Sequence, residues 1–283
     1  MAYKTGKKAR KAALLLVVNL FFILLCFLVL IPVLYAFSVS LNADNSLLSS
    51  DFSFLPKHMT LANYRAVFVE EPILRWFSNS IWMAAAAVFI SLGTGIPAAY
   101  VFSRKKFPGR KVILRLLILL YAFPALLSMT ALYKLLSPMG LINSRMGLLI
   151  VYTGTMSVFA LWNMKGYFDT IPLEIEEAAM IDGCSPIQTY FNVVFPMLRP
   201  TAVTVAILNA MWIWNDYLLP SLILPQEKGT IPMVIQNLKG GYGSIDMGAM
   251  MAMLVLAIVP IIIFYLSCQK YIIKGVAAGA VKG

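Results

Sequence analysis

From Ala12 to Phe37 the chain carries no charged side chain, and a run that long and apolar leaves little choice of environment. About 20 apolar residues wound as a helix cover the roughly 30 Å hydrocarbon core of a bilayer. Five more runs of the same kind follow, at Ser80–Phe102, Val112–Leu136, Gly147–Lys165, Thr201–Leu224 and Met247–Ser267. Charged residues make up 12% of the 283 positions, against roughly a quarter in soluble domains. The surface of such a chain is therefore mostly one that faces lipid. Inside hydrocarbon every backbone polar group needs an internal partner, so runs of this length form helices. The expectation is an all-α membrane protein of six transmembrane helices, organised as a single transmembrane domain over residues 1–283. The first run follows the basic segment Lys4–Lys11. It is too long for the apolar part of a cleaved leader and no small-residue cleavage site closes it, so it reads as a retained anchor.

The basic residues fall unevenly between the runs. With the N-terminus inside, the inner segments hold Lys4, Lys7, Lys8, Arg10 and Lys11, then Arg104, Lys105, Lys106, Arg110, Lys111 and Arg115, and finally Lys165, Arg199, Lys270, Lys274 and Lys282. The outer segments hold only Lys57, Arg65, Arg75, Lys134, Arg145, Lys228 and Lys239. Lys and Arg collect in cytoplasmic loops, so both termini of this multi-pass chain are expected on the cytoplasmic side of the membrane. The same placement accounts for the net charge of +11 without nucleic acid as a partner. In the long outer segment, Thr60-Leu-Ala-Asn-Tyr64 reads as an N-cap and a short surface helix. The outer segment after the fifth run is rich in turn residues, including Gly240-Gly-Tyr-Gly243.

Several chemistries are excluded by what the chain lacks. Cys26, Cys184 and Cys268 are far apart and His58 is the single histidine, so neither a disulfide framework nor a metal site is expected. There is no G-x-x-x-x-G-K-[ST] loop to hold a nucleotide and no HExxH or GxSxG motif. No cofactor is expected in the chain itself. A membrane-embedded enzyme would need a catalytic set that is not present. A secondary transporter would show broken helices, midplane charges or inverted repeats, and no clear sign of these is read here.

The inner connection between the fourth and fifth runs, about 166–200, is longer than most bundle connections. Pro172 opens a segment whose first turns carry Glu174, Glu176 and Glu177, acidic residues suited to the positive end of a helix dipole. Gly183 supplies a stop, since glycine alone takes a left-handed conformation at low cost. Ser185-Pro-Ile-Gln188 then forms a capping box that starts a second short helix, expected to end near Pro196. The loop is two helices meeting at an elbow. Ile175, Ala178, Ala179 and Asp182 share one side of the first helix by spacing. Two readings stand: a knob for a partner's groove, and an interfacial helix lying on the bilayer. The acidic content favours the first, because the cytoplasmic lipid surface is itself negative.

The fifth run has the most polar interior. Asn209, Trp212 and Asp216 stand on one helical face, with Asn215 beside them. Ionisable and amide groups within a span usually face a bundle interior or a water-filled path, and an indole offers a flat apolar face to a passing solute. The alternative is that the tryptophans belong to an interfacial belt and Asn209 bridges helices.

Glu177-Ala-Ala-Met-Ile-Asp-Gly183, then nine residues, then Val193-Val-Phe-Pro196 resembles the EAA signature of binding-protein-dependent ABC importer permeases, with Val193 and Phe195 in place of the preferred Ile and Leu. Asn63-Tyr64, Asn79-Ser80, Ala98-Ala-Tyr100, the basic stretch Arg104–Arg110 and Trp214-Asn-Asp-Tyr-Leu-Leu-Pro220 also resemble that family. The ending Ala278-Gly-Ala-Val-Lys-Gly283 is similar to the carbohydrate-uptake branch, specifically to the shorter permease of maltose-type systems. The resemblance implies a type I ABC importer permease fold. It implies a homologous second permease as heterodimeric partner, two cytoplasmic ATPase subunits that carry ATP and Mg, and an extracytoplasmic sugar-binding protein. It also implies that the elbow between helices 4 and 5, with Glu177, Ala178, Ala179, Asp182, Gly183 and Pro196, is the coupling helix that seats in the ATPase. Asn209, Trp212, Asn215 and Asp216 remain the candidate sugar contacts.

Overall fold

A computed structural model describes residues 2–43, 56, 58–69, 72–237 and 247–280, with side chains described between 13 and 271. The glycine-rich turn at 240–243 and the final 281–283 lie outside these residues. The helices are α1 (Ala2–Ser40), α2 (Ala62–Val69), α3 (Ile73–Arg104), α4 (Arg110–Ala122), α5 (Ala125–Leu136), α6 (Arg145–Phe168), α7 (Leu173–Ile181), α8 (Pro186–Gln188), α9 (Phe195–Asn215), α10 (Leu218–Ile223), α11 (Ile231–Asn237) and α12 (Met247–Ala280). Among the described residues the only strand-like pairing is one isolated bridge, Asn42 with Met59. Five helical stretches are long and apolar enough to cross a membrane, and a sixth is reached only if the bent pair α4 and α5 counts as one.

That bend corrects the expected third span. Val112–Leu136 is not one rod: α4 and α5 meet at 101°. Pro124 has no N–H to give and disfavours helical geometry in the residue before it. Phe123 accordingly sits extended, at φ −69° and ψ 131°. The fifth span also differs from its expected limits, Thr201–Leu224. It begins much earlier, because the helix started at Pro186 does not end near Pro196 but continues to Asn215. A π turn over Thr189–Val194 absorbs the proline: the N–H of Phe195 reaches back five residues to Tyr190, just before the missing N–H of Pro196. The span also ends sooner, because Asp216 turns extended and its Oδ1 accepts the N–H of Leu218 at 3.0 Å. Local side-chain bonds of this kind compete with the helical ladder.

The described chain forms two compact units, Met1–Pro72 with Gly241–Ile258 and Ile73–Gly240 with Val259–Gly283. In the first, α1 is exposed on every side from Ala13 to Leu34, as suits an all-apolar helix in lipid. Its end is tied to α2: buried Asn63 donates Nδ2 to the carbonyls of Ser40 (3.0 Å) and Asn42 (2.9 Å), and Ser40 and Tyr64 share a hydroxyl bond of 2.7 Å. Thr60 Oγ1 accepts the N–H of Ala62, as its expected capping role requires.

In the second unit α3 and α6 run parallel in direct contact, with α9 antiparallel and packed against both. Thr94 bonds Ser157 midway, and Ser103 bonds Asp169 at the end. Gly95 permits the close approach, since a β-carbon there would lie 2.7 Å from that of Ala160. Two apolar clusters fill the ends of the group. One gathers Met83, Ala87, Leu148, Tyr152 and Ile213. The other gathers Ile96, Ala99, Met164, Phe168, Val194 and Leu198, and carries the elbow.

Candidate functional site

The elbow is built by two caps in succession. α7 ends in a reciprocal pair of backbone bonds, Cys184 N–H to Ala179 (3.0 Å) and Gly183 N–H to Met180 (3.1 Å). That pattern needs a left-handed residue between them, and Gly183 has φ +93°. Ser185 then accepts the N–H of Gln188 at 3.3 Å while Gln188 Oε1 accepts the N–H of Ser185 at 2.8 Å, completing the expected capping box. Only Asp182, Gly183, Cys184 and Ser185 separate the two helices. Glu177, Ala178, Asp182 and Gly183 are exposed on this apex, Ala179 is buried beneath it, and Pro196 is half-buried further along. The apex also exposes apolar side chains, above all Ile181 (85%) and Ile187 (72%).

The carboxylate that anchors the elbow is Glu176, named in the sequence only as a first-turn acid and not among the coupling residues. It is 4% exposed. Its Oε1 accepts Arg104 Nε at 2.6 Å and its Oε2 accepts the Tyr100 hydroxyl at 2.9 Å. Arg104 Nη2 also donates to the carbonyl of Ile171 at 2.9 Å. A buried ion pair is tolerable only when its hydrogen bonds are satisfied on both sides, as they are here. In the sequence these residues looked ordinary: Arg104 as one of many inner cations and Glu176 as one of three acids in a first helical turn. A second pair lies next to it. Lys165 Nζ and Ser103 Oγ each bond Asp169 at 2.6 Å. Burial pushes the Asp169 carboxyl up, but the bonds from Lys165 and Ser103 and the nearby charges of Lys165 and Arg110 hold it below the usual range.

At the other end of α9 the candidate sugar residues separate. Asn209 is buried and donates Nδ2 to Ser91 Oγ at 3.3 Å, bridging α9 to α3. Asp216 is half-buried and accepts the Tyr152 hydroxyl at 3.0 Å. Asn215 is exposed, with Nδ2 bonded to the Met211 carbonyl at 2.7 Å. Trp212 is exposed and stands edge-on to Tyr152, with ring centroids 6.1 Å apart. The structure thus keeps Trp212, Tyr152 and Asp216 together and leaves Asn209 inside the helix contact. A separate cleft between α3, α9 and α12 is lined by Ala84, Ala206, Ala210, Trp214 and Phe264 among other apolar residues. Its lining side chains include no hydroxyl, amide or charged group. No group of three or more metal-ligating side chains occurs among the described residues.

The model of the family described as binding-protein-dependent transport system inner membrane component matches residues 91–278. The chain is 33% identical over 89% of its length to the diacetylchitobiose uptake system permease protein NgcG of Streptomyces coelicolor, covering 84% of it. It is 32% identical over 98% of both chains to the galactooligosaccharides transport system permease protein GanQ of Bacillus subtilis. A solved bacterial ABC transporter involved in the import of the acidic polysaccharide alginate contains a chain with TM-score 0.77 and 26% identity, over 93% of this chain and 96% of that one. The match runs from the middle of α3 through the elbow into α12, and the chain belongs to the inner-membrane permease components of binding-protein-dependent transport systems.

Proposed function

We propose that this chain is one of two membrane subunits of an ATP-driven bacterial importer, and that its solute is a sugar, specifically an oligosaccharide. The observation that carries the ATP-driven part is the elbow: a doubly capped, rigid turn that presents Glu177, Ala178, Asp182 and exposed Ile181 at its apex. Apolar side chains flanked by charges suit a protein groove better than an anionic lipid surface. The occupant of that groove relation is an ATPase subunit, two of which would carry the ATP and Mg. A second, homologous permease would complete the membrane part, and a binding protein would deliver the solute from outside. Both termini would lie in the cytoplasm, on the side of the basic loops. Relatives named for diacetylchitobiose and galactooligosaccharides support the sugar. Trp212 and Asn215, exposed at the far end of α9, are the side chains best suited to touch it.

The test is uptake of radiolabelled diacetylchitobiose, galactobiose, trehalose and maltotriose by cells carrying the complete transporter or lacking this subunit. Loss of uptake of at least one sugar on deletion, restored by the native chain but not by Glu177→Lys, is the expected result. Unchanged uptake of all four in the deletion strain removes the sugar assignment.

A further inference from the structure

We propose that the recess where α4 begins holds the phosphate headgroup of an anionic phospholipid. Arg104, Lys105, Lys106, Arg110, Lys111 and Arg115 fall close together in the chain, with no acid among them. Acids elsewhere neutralise only part of this charge. Arg104 pairs with Glu176, and Lys165 of α6 pairs with Asp169. Arg110 is half-buried and gives Nη1 to the Lys105 carbonyl at 3.2 Å. Lys106 and Lys111 are exposed and have no ion-pair or hydrogen-bond partner for their ammonium groups among the described residues. Lys106, Phe107, Arg110, Lys111 and Leu114, with Lys165 from α6, line one concave space of about 650 Å³. The loop that forms it is held in place. Phe107 packs edge-on against Phe102 of α3, with centroids 5.3 Å apart, and Gly109 turns the chain into α4 at φ 80°. Charges gathered in a recess with apolar walls focus their field more than charges on an open surface.

The class of anion follows from what lies beyond the charges. No residue of α4 is buried, and Val112, Leu116, Leu119 and Leu120 are exposed along it. α4 and α5 together are apolar enough to lie in a membrane. The cations therefore stand where an apolar surface begins. One phospholipid meets both, with its headgroup in the recess and its acyl chains along α4. A soluble acidic protein would cover the cations and leave the apolar surface bare. No carboxylate lines the recess, and nearby Asp169 already takes Lys165 and Ser103. A choline or ethanolamine cation would find no free partner there, so a net-negative head fits best. Such a site needs the chain in a membrane but no particular solute or ATPase, and so stands apart from the transport reading.

The experiment strips the complete transporter of lipid in a neutral detergent. It is then titrated with phosphatidylglycerol or with phosphatidylcholine of the same acyl chains, and bound lipids are counted by native mass spectrometry. The native complex should prefer phosphatidylglycerol by roughly thirtyfold, the worth of two basic residues at an anionic surface. In the Lys106→Gln, Lys111→Gln double variant the preference should fall below about threefold. The Arg199→Gln, Lys270→Gln double variant removes two exposed cations outside the recess and should keep it. A native complex without preference overturns the lipid site, as does an unchanged preference in the Lys106, Lys111 variant. Equal loss in both double variants shows diffuse attraction and overturns it too. Displacement of the lipid by inorganic phosphate at equal concentration would mean that the acyl chains contribute nothing, and the ligand would be free phosphate. Loss of ATPase capture by the Lys106, Lys111 variant in lipid-free detergent would assign the patch to a protein contact instead.

Discussion

Replacing Gly183 isolates the backbone of the elbow from everything else. Its φ is +93°, and a β-carbon there meets no atom within 4 Å. Substitution therefore brings no clash with neighbours, and the whole cost lies in holding an L-residue in the left-handed region. That cost is about 1–2 kcal/mol for alanine, smaller for asparagine and larger for a β-branched residue. If the ATPase recognises the elbow only in this conformation, the cost appears as weaker capture. At about 1.4 kcal/mol per tenfold, Gly183→Ala loses roughly five- to thirtyfold in affinity. The series should run native, asparagine, alanine, valine in decreasing order. The assay is titration of the purified ATPase against the permease pair in nanodiscs, with membrane insertion checked by yield. An order that follows side-chain size without sparing asparagine, or equal affinity across the series, would refute the reasoning, because open space around the β-carbon leaves no steric cause.

The other predictions concern topology, solute contact and pH. Met139→Cys, exposed between α5 and α6, should react with a membrane-impermeant thiol reagent in intact cells, and Lys105→Cys should not; the reverse pattern places the termini outside. Trp212→Ala should lower sugar uptake by roughly three- to tenfold at unchanged assembly, the size of a lost aromatic contact; unchanged uptake moves the solute site to the second permease. Asn209→Ala should instead lower the thermal stability of the purified subunit by about 1 kcal/mol through its lost bond to Ser91, and an unchanged melting temperature would show that bond to be idle. The Asp169 carboxyl is held below its usual value in the fold, so its contribution is complete above about pH 4 and fades as the pH falls through the lower folded value. Being 44% exposed, it is worth at most about 1 kcal/mol. The melting gap between native and Asp169→Asn should narrow as the pH falls below about 4, and a gap that stays constant as the pH is lowered through that range contradicts the assignment.

Local chemistry was easy to read in the chain; long-range pairing was not. The two caps of the elbow depend on residues within five positions of each other, so Gly183, Ser185 and Gln188 announced them. The same is true of Thr60 before α2. Span positions followed from length and apolarity, but their shapes did not. Hydropathy is blind to the missing N–H of Pro124, so a bent pair looked like a rod, and blind to the bond from Leu218 N–H to Asp216, so α9 seemed to run on to Leu224. The smooth passage through Pro196 was hidden for a related reason: a π turn has no apolar period of its own. Glu176 was read correctly as an acid in the first turn of α7, but its pairing with Arg104 was not legible, since nothing local tells which of Glu174, Glu176 and Glu177 turns inward. Asn209 shows the converse limit. Helical spacing correctly put it on a face with Trp212, but packing against Ser91 decided which part of that face is open.

The contact of α3 with α6 bears on how such a chain can change shape. The two helices touch backbone-close at Gly95 and Ala160, and again at Ser103 and Asp169 near their ends. Parallel rods fastened at two heights can no longer slide or roll past one another; what survives is a common tilt. An inward-to-outward switch within this unit therefore treats them as a single lever. The freedom it needs lies in the members without a double fastening, the arm broken at Phe123-Pro124 and the joint at Asp216-Tyr217 where α9 stops.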